Sequence, residues 1–171
     1  TRLNGTNLDL SGVDLTSHTL TGANLGSTNL TGANLTNANL TGTSFSEAKI
    51  TGANLAGAKV DGFRLVTAHP DWSGVLLTHA VIDLRQQDLA GRGIVLSDAD
   101  LSGISLIGAN LAGMHLDGVR LHQANLSGTD FLGATGDPTG GADAHYALTT
   151  CPTGAITHPG MPTCVGEGFD P

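Results

Sequence analysis

Large aromatic side chains are nearly absent from this sequence: one Trp, one Tyr and four Phe stand among 171 residues. A globular core of ordinary shape wants more of them, so the apolar interior is expected to be narrow and filled by smaller side chains. Positive charge is scarce as well. Seven Lys and Arg face 15 Asp and Glu, a formal net charge of −8. No basic patch is present to neutralise phosphates, which argues against direct nucleic-acid binding. No apolar run approaches the roughly 20 residues of a membrane-spanning helix. The sequence also lacks a Gly-rich phosphate loop, an H-E-x-x-H and a G-x-S-x-G. No enzyme activity, cofactor or metal is therefore expected.

The charge is uneven along the chain. Residues 1–65 balance four acids with four bases, residues 66–136 carry seven acids and three bases, and residues 137–171 carry four acids and no base. The chain starts at Thr1 rather than Met, which fits a processed or trimmed product from which a targeting segment could have been removed.

What is abundant is a beat of five. Leu, Phe, Ile or Val occupies positions 15, 20, 25, 30, 35, 40, 45, 50, 55, 60 and 65 without a miss. Two residues before each centre stands a second inward candidate, most often Ala or Thr, with Asn commonly between them. Thr and then Gly often follow. A period of five fits neither a helix nor a flat strand. Alternation within one unit is strand-like, and Gly supplies backbone freedom for a corner. Short extended pieces joined by corners close into a coil, and each coil buries its apolar face against its neighbours. The expected core is Leu15, Leu20, Leu25, Leu30, Leu35, Leu40, Phe45, Ile50 and Leu55, then Leu96, Leu101, Leu106, Leu111, Leu116, Leu121, Leu126 and Phe131.

The motif A-[ND]-L-x-x carries a resemblance. It stands at Ala23-Asn24-Leu25, Ala33-Asn34-Leu35, Ala53-Asn54-Leu55, Ala99-Asp100-Leu101, Ala109-Asn110-Leu111 and Ala124-Asn125-Leu126, and resembles the pentapeptide-repeat family. The resemblance implies an all-β fold, a right-handed quadrilateral β-helix with four pentapeptides per turn, in which the centre and the residue two before it point inward. It implies no general activity and no catalytic residues.

The beat divides the chain. A first module spans 1–65 and a second 84–136, and both open alike: Leu3, Leu8 and Leu15 recur 81 positions later as Leu84, Leu89 and Leu96. This reads as an internal duplication. Between the modules, residues 66–83 lose the register and hold His69, Asp71, Trp72 and His79. Two readings stand: a binding loop carried by those four residues, or a connector whose Trp72, Val75, Leu76 and Leu77 cover the seam. Residues 137–171 form a Gly- and Pro-rich tail, expected to cap the last coil with Tyr146 and Leu148 near it. Its Cys151 and Cys164 could form a disulfide, belong to a metal site with His158 and His145, or remain free thiols. The tail's Thr149-Thr150-Cys151-Pro152-Thr153-Gly154 and then Cys164 resemble the ending of exported bacterial members of the family. Isolated histidines and the Asp98, Asp100 pair read as solvated surface.

Two functions follow. The first is a non-catalytic scaffold or protein-interaction module, secreted or in the cell envelope, with an unidentified protein partner or an end-to-end contact with a second copy. The second, which the family resemblance brings in, is a cytoplasmic DNA-mimicking inhibitor or protector of gyrase.

Overall fold

In a computed structural model, residues 6–61, 71–82, 84–139, 143–145 and 149–153 are described; His69, Tyr146, Leu148, His158 and Cys164 lie outside them. The chain winds as a right-handed four-sided β-helix. Each side is a short extended segment centred on one large residue, and each corner is a tight turn. Parallel bridges join the residue before each centre to its equivalent one coil on. One column runs Asp14, Asn34, Asn54, Leu76, Asp100, Arg120 and Thr139. Its six steps, each about 4.8 Å, span about 29 Å. The segments β1 (Asn39–Leu40), β2 (Lys59–Val60) and β3 (Val81–Ile82) form the one regular three-stranded parallel sheet among the described residues.

Each part of the five-residue unit has a physical task. The centre and the residue two before it fill the interior. All the centres expected from the sequence are buried, none more than 6% exposed. The residue between them points outward, and where it is Asn or Asp its side chain accepts a hydrogen bond from the backbone N–H two residues on. Examples are Thr16 N–H to Asp14 at 3.0 Å, Thr36 N–H to Asn34 at 3.2 Å and Ser127 N–H to Asn125 at 3.1 Å. This is the Asx turn, the reason Asn and Asp favour such positions. A hydroxyl at the first corner residue adds a second bond, as Thr41 Oγ1 does to Asn39 at 2.8 Å. The next residue takes a positive φ, +66° at Gly52 and +65° at Gly57, and the turn closes with a bond such as Ala53 N–H to the Ile50 carbonyl at 2.9 Å. A positive φ at the third turn position is the requirement that selects Gly.

Threonines in inward slots are satisfied rather than stranded. Thr43 and Thr129 donate from Oγ1 to the carbonyls of Leu20 and Leu106, at 2.9 and 2.8 Å. A buried hydroxyl without such an acceptor would be costly.

The coil runs on through the stretch where the sequence loses its beat. Asn54 bridges Leu76, which bridges Asp100, and Asp71 bridges Val95. The steps are 22 and 24 residues instead of 20, so the coils are enlarged in twos. One extra pair lies between Val60 and Asp71. A second lengthens the segment through Ala80, Ile82 and Leu84, all three buried. The third is at the corner after Leu89, where the Gly91 N–H bonds to Asp88 at 2.8 Å. Trp72, Val75 and Leu77 are fully buried core residues of these coils. Both repeat arrays therefore stand in one ladder.

Candidate functional site

Of the four residues that the sequence offered as a binding loop, three are described, and two of these, Asp71 and His79, lie at the surface. Trp72 is fully buried in the centre slot between Ile50 and Leu96, and its Nε1–H has no partner. It is unavailable to a surface ligand. Asp71, immediately before it, is exposed and accepts from the Ser73 N–H at 2.9 Å and from Thr51 Oγ1 at 3.4 Å. The Ser73 hydroxyl, outweighing slight burial, holds its carboxyl below the ordinary range. His79 is a corner residue with φ +53°, and its ring lies over Gly103, where an added Cβ would meet Nδ1 at 2.5 Å. His69 is outside the described residues. Asp71 and His79 stand on different sides of the coil, so these two do not converge.

The enlarged coils instead produce a groove that the sequence reading missed. A cavity of about 490 Å³ is lined by Val60, Ala80, Ile82, Arg85, Gly103, Ser105 and Ile107. It lies where the lengthened stretch 80–86 faces the ordinary stretch 103–107. His79 bonds to Ser102 and Gln86 to Ile107, so seven residues on one coil match five on the next. The missed signal was the beat itself: Trp72, Leu77 and Ile82 are five apart, shifted by two from the frame of Leu55 and Val60.

A second feature is acidic. The side carrying Asp71 and the side carrying Asp100 adjoin at the corner held by Asp98. Together with Asp117 and Asp137 they bring five carboxylates onto two neighbouring sides over consecutive coils. Asp100 is held below the ordinary range: burial acts to raise it, but bonds from Ser102 and Thr78 and the charge of Arg120 outweigh that. The Arg120 guanidinium lies 3.8 Å from it. Among the described residues no group of His, Cys, Asp and Glu is placed to hold a metal ion.

His18, in an inward slot of the first coil, is exposed, with Nδ1 3.1 Å from the Thr16 carbonyl. At the other end Cys151 fills the centre slot above Phe131 and is 1% exposed. No described cysteine is a free thiol.

The family model for pentapeptide repeats matches residues 9–46, 28–65 and 95–133, with eight copies. Among solved structures, the chain is similar to a trypsin-treated form of QnrB1, a plasmid-mediated fluoroquinolone resistance protein. The identity is 19% over 96% of this chain and 75% of that one, with a TM-score of 0.55. It is also similar to HetL, a pentapeptide repeat protein involved in heterocyst differentiation regulation from the cyanobacterium Nostoc, at 24% identity over 91% and 94% of the two chains, with a TM-score of 0.34. At 19% identity the likeness to QnrB1 is one of fold. Comparison with curated protein sequences finds no match.

Proposed function

Because the chain belongs to the pentapeptide-repeat family, we propose that it is a non-catalytic interaction module that presents a rigid side to a partner protein. The groove between stretches 80–86 and 103–107 carries this reading. It breaks an otherwise flat side and leaves Ile107 37% exposed at its edge, and apolar concavities with polar rims are where partner side chains seat. Photo-crosslinking from position 105, which also lines the groove, in the source cell extract tests it. A single recovered partner, lost on Ile107→Asp with the melting temperature unchanged, is the expected result. Equal recovery with Ile107→Asp would overturn the assignment to this groove.

The module is read as exported, with Cys151 and Cys164 joined and the tail pinned over the last coil. The burial of Cys151 and the lack of a free thiol among the described residues support this. Intact mass before and after reduction, with thiol labelling, decides it: two labelled thiols in freshly purified unreduced protein would remove the case for export. An end-to-end contact between copies belongs to the same reading and is measured by light scattering across a concentration series.

The acidic strip from Asp71 to Asp137 favours a second reading, a cytoplasmic DNA-mimicking inhibitor or protector of gyrase. A supercoiling assay with the full chain and a charge-neutralised Asp71→Asn, Asp98→Asn, Asp117→Asn triple variant tests it. No effect of the unmodified chain on gyrase at micromolar concentration would exclude it.

A further inference from the structure

On the side that carries Asp71, three side chains from two successive coils form an ordered array. His115 Nε2 lies 2.7 Å from Asp117 Oδ2, and His115 Nδ1 lies 3.1 Å from Thr135 Oγ1. His115 and Thr135 are bridge partners. The Thr135 N–H bonds to Met114 at 2.9 Å and its carbonyl accepts from the Leu116 N–H at 2.8 Å. The ladder thus holds hydroxyl and imidazole side by side. Asp117 is itself oriented, since its Oδ1 accepts from the Asp137 N–H at 3.1 Å. Gly136 makes room for it: a Cβ there would come within 2.7 Å of both the Asp117 N and Oδ1.

The chemistry follows from the two ring nitrogens. A carboxylate beside Nε2 favours the tautomer with its proton there, which leaves the Nδ1 lone pair facing the Thr135 hydroxyl. A hydroxyl, a base within hydrogen-bond reach and a third group orienting the base are the parts of an activated nucleophile. The surroundings are open. The side chains of His115 and Asp117 are about three-fifths exposed, and Thr135 is exposed. Val95, one coil before His115 on the same side, is 46% exposed and offers an apolar rest for a small acyl donor.

We propose that Thr135 is a self-acylating hydroxyl that takes an acyl group from small activated carboxylic esters. Thr135 Oγ1 attacks the ester carbonyl carbon and His115 Nδ1 takes the hydroxyl proton. The bond from that carbon to the leaving oxygen breaks, and the leaving alcohol or phenol departs with the proton or gives it to solvent. The product is an O-acyl threonine and one released alcohol or phenol, with no redox change. This modification is distinct from the non-catalytic binding role proposed above and does not depend on it.

The test incubates the full chain with p-nitrophenyl acetate at neutral pH and maps acetyl groups by intact and peptide mass. One acetyl on Thr135 is expected. Its rate should fall about tenfold or more in His115→Gln and in Asp117→Asn, persist in Thr135→Ser and vanish in Thr135→Val. Thermal melts of each variant separate lost chemistry from lost fold. Acetyl groups only on Lys49, Lys59 or other amines would overturn the proposal. So would labelling of Thr135 at an unchanged rate in His115→Gln.

Discussion

Asn34 shows how much of the unit rests on one outward side chain. Its Oδ1 accepts both the Thr36 N–H and the Thr36 hydroxyl, closing a turn whose backbone would otherwise rely on water. Asn34→Ala should lower stability by about 1 kcal/mol, read as a shift of the urea midpoint at unchanged slope. The positive-φ corner is equally specific. Gly57→Ala carries the left-handed backbone strain of about 1–2 kcal/mol and also drives a Cβ to 2.3 Å from Asn37 Oδ1. Gly52→Ala meets open space and carries the backbone strain alone. The two should differ in melting temperature, and the difference should disappear in an Asn37→Ala background. A similar close fit recurs where Asp98 and His79 lie over Gly118 and Gly103. A bulky residue on one coil is answered by a glycine on the next.

At the scale of the element, the four-sided coil was legible wherever the frame of five held. The centres from Leu15 to Leu55 and from Leu96 to Phe131 needed only their spacing, because each buries against an apolar residue in the equivalent slot one coil away. The groove was not legible. It arises from an inserted pair within a strand, while the earlier pair, between Val60 and Asp71, leaves Trp72, Leu77 and Ile82 in step with one another but out of step with the flanking arrays. The function of Asn and Asp as turn acceptors was hidden too, since it depends on a backbone bond that composition does not show. Trp72 supplies the direct check on the enlarged coils. Its native fluorescence should be shielded from acrylamide and should redden and become quenchable on unfolding. Trp72→Ala should cost about 3–5 kcal/mol, whereas removal of a loop tryptophan would cost little.

The whole molecule is held by carboxylates as well as by leucines. Asp9, Asp14, Asp71 and Asp100 are all held below the ordinary carboxylate range, the first two chiefly by the hydroxyls of Ser11 and Thr16. A carboxyl whose folded value is depressed stabilises the fold above its unfolded value, near 3.9, and loses that contribution as pH falls through the folded one. Melting temperature should therefore be steady from about pH 7 to about pH 5 and fall below about pH 4. An Asp9→Asn, Asp14→Asn double variant should show a shallower fall. The ladder has a mechanical consequence as well. Its bridges join residues only 19 to 24 positions apart in the chain, so a coil is fastened chiefly to the coil before and the coil after. Pulled from its ends, such a molecule should come apart as a spring unwinds from one end. Each lost coil should release about 60 Å of slack, and the remainder should stay wound until its own turn comes.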